Sequence, residues 1–320
     1  MSLDSSFTLN QIELTCSFMG VFLLTLLTSA LWALSNCFDK YLVSRYFKDA
    51  TVGAMVVFSA LIALAVLPIA LFLQDRAFDI GVVVPVALIF NGCLYLIAVQ
   101  LYLIALRTSD VSTAVPIFQL IPVISLILAY LVLGEVLSTN QLIGGGLITL
   151  GAVAISIESK AGHRPSWRAD VLGLISLSSF VFALQVLIFK AFAIHLRFWN
   201  VMVWESVGFI AFGLLLLIFV KTYRRDFIRV FGQGGLAPSL HMTGELIYIT
   251  GKVCFNYVSL LTPITLAWLG VGFQPVFIMI YTIVLATFFP RILKEDVLGR
   301  SLLRKGLAIC VMLIGSYILA

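Results

Sequence analysis

Charge is scarce in this chain: Asp, Glu, Lys and Arg supply 11% of its 320 residues, while 62% are hydrophobic. A soluble domain carries about a quarter charged residues and is roughly half apolar. The scarcity therefore excludes a water-soluble fold. Cysteines are few and scattered, with Cys16, Cys37, Cys93, Cys254 and Cys310 making no pair at metal or redox spacing. They read as small packing residues. Three histidines, His163, His195 and His241, lie in separate regions and form no ligand cluster, so no metal site and no cofactor is expected. A nucleophile–base pair is missing too, and Gly232-Gln233-Gly234-Gly235 is not followed by the Lys and hydroxyl residue of a phosphate loop. No enzyme is expected. Met1 to Met19 holds no Lys or Arg, hence no basic region of a secretory signal, and the first apolar stretch is expected to stay as a span. The net charge of +5 comes from bases in short loops rather than a patch or arm, which argues against a nucleic-acid partner.

What is present is a series of apolar runs of about 20 residues, the length that crosses a hydrocarbon core of about 30 Å. Mean hydropathy is +1.13. In lipid every backbone group must be paired within the chain, and these runs show no strand-type alternation, so they read as helices. Apolar length and turn signals place spans at 18–40, 50–73, 82–106, 111–133, 141–158, 171–190, 198–220, 239–258, 263–288 and 302–320. The breaks are short except Glu158 to Asp170, which reads as a linker near mid-chain, and Lys221 to Leu236. Lys40 and Lys190 end spans one and six, 150 residues apart, and Pro122-Val123 meets Pro275-Val276 at an offset of 153. Such offsets suggest duplication. Five spans per unit is an odd number, so the second copy enters the membrane inverted, as in many transporters. The expected fold is an all-α polytopic membrane protein of ten transmembrane helices, with repeats at 1–160 and 161–320. Odd-numbered loops carry sixteen Lys and Arg and even-numbered loops only Arg76 and Arg197. By the positive-inside rule the odd loops are cytoplasmic and both termini lie outside.

A charge at the centre of a span costs roughly 2.5 to 3.5 kcal/mol on insertion and persists only with a partner or a purpose. Span eight bears Glu245, Tyr248, Lys252 and Asn256 at steps of three and four, which makes one polar stripe. The stripe either lines a cavity or pairs internally with charges on neighbouring helices. Glu205 in span seven has three candidate settings: a pair with Lys252, a pair with Lys190, or the interface. Trp32, Ser35, Asn36 and Asp39 share one face of span one, with Asp39 and Lys40 able to snorkel at its end. Asn91, Tyr95, Gln100, Tyr102, Gln119 and Gln185 can hydrogen-bond a helix or a ligand. Pro116, Pro122 and Pro275 remove backbone donors and are expected to kink their spans. Gly144 and Gly151 sit seven apart on span five and favour close packing between halves or between subunits. Lys221 to Phe231 alternates bases with apolar residues and reads as a helix on an anionic membrane surface or as an ordinary basic loop.

The stretches Ala105-Leu106, Ala114-Val115-Pro116, Ile121-Pro122-Val123, Leu133-Gly134-Glu135 and Gln141-Leu142-Ile143-Gly144 leading to Gly151 resemble the EamA branch of the drug/metabolite transporter superfamily. Leu261-Thr262-Pro263, Gln274-Pro275-Val276 and Gly315 echo them in the second half, although Phe288 to Arg291 stands where Gly134-Glu135 would recur. The resemblance implies a carrier of two inverted EamA repeats with a central cavity and alternating access, moving small metabolites or drugs, commonly outward. Small multidrug exporters of that superfamily couple to protons through a Glu in the first span. This chain has none there, so Glu205 and Glu245 become the coupling candidates.

The expectation is a multi-pass permease of the cytoplasmic (inner) membrane, working as monomer or homodimer, that exports an amino-acid-like or drug-like metabolite. Substrate binding is expected at Trp32, Asn36, Tyr95, Gln119, Glu245, Tyr248, Lys252, Asn256 and Trp268. Movement of a lipid-linked substrate between leaflets is the alternative, with a membrane-embedded enzyme or a scaffold behind it. A stripe on span eight that faces a central cavity would favour the carrier.

Overall fold

A computed structural model describes residues 5–46, 51–74, 78, 80–108, 117–156, 169–231, 235–288 and 300–319. Twelve helices are described: α1 (Ser5–Arg45), α2 (Val52–Leu73), α3 (Val83–Thr108), α4 (Leu120–Leu133), α5 (Thr139–Ser156), α6 (Ala169–Ala193), α7 (Phe198–Phe219), α8 (Lys221–Phe231), α9 (Leu236–Leu261), α10 (Ile264–Val271), α11 (Gln274–Phe288) and α12 (Arg300–Leu319). No strand occurs among the described residues. Six segments are long and apolar enough to cross a membrane: Met19–Asp39 within α1, α2, Val83–Ala105 within α3, α6, α7 and Ile264–Tyr281. Shorter apolar helices cover Leu120–Leu133, Thr139–Ile155 and Gly306–Leu319. The mid-chain linker, Pro116, His163 and the loop bases Lys48, Arg76, Lys160, Arg164, Arg168, Arg291 and Lys294 lie outside the described residues.

Local chemistry sets several boundaries. Gly134 ends α4 at a φ of 67°, a left-handed conformation that costs glycine nothing. Four residues on, Ser138 and Gln141 cap α5 reciprocally: the Gln141 N–H donates to Ser138 Oγ at 3.2 Å, and the Ser138 N–H donates to Gln141 Oε1 at 3.0 Å. The ninth expected span is not one helix. It breaks at Gly272–Phe273, just before Pro275, which has no N–H to continue the ladder. The fourth expected span is likewise interrupted at Gln119, between helical residues 117–118 and α4, and Pro122 lies in the first turn of α4, where a donor would have no intrahelical partner. Among the described helices an interior proline is instead Pro68 of α2.

Lipid tails are as apolar as leucine, so helices here associate through close backbone approach rather than hydrophobic exclusion. A Cβ on Gly144 of α5 would stand 2.6 Å from the Gly315 carbonyl oxygen, and one on Gly315 of α12 would stand 2.7 Å from that of Gly144. The small residues of span five therefore seat α12, a contact between the two halves of the chain. Gly208 of α7 lies against the backbone of Ile89 in α3 in the same way. The main packing partners are α1 with α9, α3 with α6 and α7, α2 with α7, α4 with α6, and α5 with α12.

α8 is a helix, yet its apolar face is filled by protein. Phe227 and Phe231 stack with Phe58 of α2, and Tyr223 lies on Gly53 while its hydroxyl accepts from Gln100 at 2.9 Å. Lys221, Arg224, Arg225 and Arg229 stay exposed, as does Ile228.

Candidate functional site

A central cavity of about 160 Å³ opens between α1, α2, α3, α6, α9 and the start of α4 and α11. All nine residues expected to bind substrate, from Trp32 to Trp268, stand on its wall. The polar stripe of α9 thus lines the cavity, while its members also bond neighbouring helices: Lys252 to Glu205 and Asn256 to Met202 of α7, Glu245 to Ser59 of α2. At 1.5 Å per residue, Glu245, Lys252 and Asn256 are spaced over about 16 Å along that helix, so the stripe runs the depth of the site.

One wall is aromatic. Trp32 lies flat on Tyr248 with ring centroids 5.4 Å apart at 11°, and its indole N–H donates to the Tyr248 carbonyl at 3.2 Å. Phe255 and Trp268 close around it at 5.2 and 6.1 Å. Such a stack needs a bare backbone on α9, and Gly251 supplies it: a Cβ there would fall 2.7 Å from Trp32 Cδ1. Tyr95 faces Tyr248 at 6.2 Å and carries the Lys252 ammonium over its ring at 5.0 Å.

Lys252 settles the question of Glu205. Its Nζ contacts both carboxylate oxygens of Glu205, at 3.0 and 3.1 Å. Gln185 Nε2 and Asn91 Nδ2 donate to Oε1 of the same carboxylate at 2.5 and 3.3 Å. Glu205 is fully buried and stands behind the cavity wall rather than on it. Charge-assisted bonds to a full set of donors satisfy the carboxylate, and the pair carries no net charge toward the cavity. Lys190, the other expected partner, goes elsewhere: it bonds Glu135 at 2.5 Å and the Thr262 carbonyl at 2.9 Å. Glu135 also accepts from the Ile264 N–H at 2.9 Å. This knot joins α4, α6 and the α9–α10 junction at the end of the molecule opposite α8.

Glu245 meets no Lys or Arg among the described residues. Its carboxylate accepts from the Ser59 hydroxyl of α2, and His241 Nε2 stands 3.7 Å away, beyond hydrogen-bond reach. Asp39, which could have snorkelled at a span end, lines the cavity with Trp32, Ser35 and Asn36 of the same face, and no ion-pair partner is found for it among the described residues. Sequence reasoning also passed over His241 and Ser59. Both lie on the cavity wall, but a lone His and a lone Ser in an apolar run carry no spacing that points to a site.

Outside the spans, Asp226 of α8 is 1% exposed and accepts from the Thr51 N–H at 2.8 Å, tying α8 to the start of α2. Burial disfavours its charged form, but the Thr51 donor, Arg225 and Arg229 outweigh that, and the carboxyl is held below the usual carboxylate range.

Residues 19–157 match the sequence model of the EamA-like transporter family. No curated protein matches the chain. A solved crystal structure of a protein with 13% identity resembles it over 94% of this chain and 96% of its own, with a TM-score of 0.65. At that identity the likeness shows a shared fold and nothing of function.

Proposed function

We propose, from the match of residues 19–157 to the EamA-like transporter family model, a ten-span secondary carrier that moves a small metabolite through the central cavity by alternating access. α1 to α5 form the first repeat, and α6, α7, α9, the broken α10–α11 and α12 form the second, with α8 lying outside the count. The packing supports this division. Exchanging the halves turns the α1–α9 contact into the α6–α3 contact and maps α2–α7 and α5–α12 onto themselves, as an inverted repeat requires. The reciprocal approach of Gly144 and Gly315 supports it too.

The observation that carries the reading is the convergence of the nine expected binding residues on one cavity. Costly polar groups within a membrane belong in such a space. The basic loops, with exposed Lys221, Arg224, Arg225 and Arg229 on α8, support an orientation with the α8 end in the cytoplasm and both termini outside, and in this reading the carrier sits in the inner membrane and exports its cargo. Glu245, on the cavity wall, is the coupling residue of this reading, whereas Glu205 acts by holding Lys252. The test compares the metabolites released by cells with and without the protein, then repeats the assay with the leading compound in proteoliposomes. A compound released by the cells and exchanged by the liposomes is expected. No difference in any small metabolite would sink the proposal.

A further inference from the structure

Among the described residues, two acidic side chains and one lysine stand on the cavity wall: Asp39, Glu245 and Lys252. Lys252 is neutralised from behind by Glu205, at 3.0 and 3.1 Å. The two carboxyls have no such partner among the described residues. Glu245 holds a serine hydroxyl, and Asp39 has no ion pair among the described residues. His241, 1% exposed, packs its ring against Phe58 and Phe231 at 4.7 and 5.6 Å and makes no hydrogen bond to Glu245. The cavity thus presents two carboxyl groups for which the described residues offer no countercharge, in surroundings where an unpaired charge is costly.

The same wall is rich in π faces. Trp32, Tyr95, Tyr102 and Tyr248 stand on it together with the carboxylates, and aromatic faces attract cations through their quadrupoles. That Lys252 itself lies over Tyr95 at 5.0 Å shows one of these faces already holding a cationic group. The starts of α4 and α11 also reach the cavity and contribute positive potential, about half a charge per helix end. A cation seated between the two carboxyls favours the ionised form of both, and their combined charge exceeds that. On the same wall, Asn256 Oδ1 and Trp268 Nε1, an acceptor and a donor on side chains 1% and 7% exposed, are both without a hydrogen-bond partner among the described residues. Buried polar atoms are ordinarily paired, so these two point to a ligand that pairs them.

We infer that the cavity is a site for an organic cation with an aromatic or branched apolar body, its charge set between Asp39 and Glu245 and its body on the Trp32–Tyr248 stack. Translocation of this cargo rests on the carrier reading given above; its binding does not.

Equilibrium binding to the purified full-length protein tests the inference, read from the fluorescence of tryptophans that include Trp32 and Trp268. The probes are benzyltrimethylammonium, phenylacetate and an uncharged benzyl ether of similar size. Saturable binding of the ammonium roughly tenfold tighter than of the other two is expected, a difference within reach of one or two ionic contacts. Glu245→Gln should weaken the ammonium about fivefold and leave the ether unchanged, and adding Asp39→Asn should remove the preference. Equal or tighter binding of phenylacetate, no saturable binding of any probe, or a preference that survives in the double variant would each overturn it. If the variants do not fold, the three probes on the unaltered protein decide. Saturable cation binding without exchange in proteoliposomes would overturn the carrier and leave this inference standing. Exchange confined to anionic cargo would do the reverse.

Discussion

Lys252 shows how one side chain organises a membrane interior. Alone on a span it would be prohibitive, and with Glu205 it becomes the centre of a network that also holds Gln185 of α6 and Asn91 of α3. Breaking a buried pair from one side leaves an uncompensated charge, worth about 3 to 5 kcal/mol. Lys252→Met is therefore expected to lower the thermal midpoint in detergent by several degrees, and Lys252→Met with Glu205→Gln by less. An equal loss in both would show that the pair does not act as a unit. Sequence spacing made the stripe of α9 legible because helical steps of three and four bring Glu245, Tyr248, Lys252 and Asn256 to one face. It could not rank Lys252 against Lys190 as the partner of Glu205. That choice depends on how α6, α7 and α9 cross, and no local pattern encodes a crossing.

Helices were legible in proportion to their apolar length. α2, α6 and α7 lie where uninterrupted apolar runs placed them, since a run of 22 to 25 residues has one stable solution in lipid. The broken span was harder, because Gly272 and Phe273 read as ordinary apolar residues, and only Pro275 two positions later marks the interruption. α8 was the ambiguous element, with a pattern that suits a membrane surface and a protein groove alike. What decides it is Asp226, whose carboxylate accepts the N–H of Thr51, the residue that precedes α2, and ties α8 to the start of that helix. Because the folded-state carboxyl titrates below its unfolded value, this tie contributes fully at neutral pH. It weakens as pH falls through 3.8, the ordinary value, and below. The thermal midpoint of the unaltered protein should thus drop more steeply between about pH 5 and 3 than that of Asp226→Asn, which lacks the titrating group. Parallel curves would refute the assignment.

Taken whole, the molecule has two unlike ends. Near α8, α1, α2 and α9 surround the carboxylates; at the other end, Glu135, Lys190, Thr262 and Ile264 tie the halves together. Both charges of that knot stood in plain view in the sequence, Glu135 in the Leu133-Gly134-Glu135 motif and Lys190 at a span end. Their meeting across 55 positions was not visible, because it arises only when α4 packs on α6. In the proposed carrier the knot closes the cavity away from the cytoplasm. Lys190→Ala should then raise, several-fold, the labelling of Val271→Cys by an impermeant maleimide added on that side, in a chain whose other cysteines are serine. An unchanged labelling rate would show the end to be closed by packing alone.

The knot also bears on speed. Glu135 and Lys190 are 14% and 10% exposed, so parting them means rehydrating two charges from a largely dry setting. In a cycle that opens this end once per turnover, that step adds to the activation barrier, and about 1.4 kcal/mol of it slows turnover tenfold. The chemistry that seals the carrier at rest would then also set its clock.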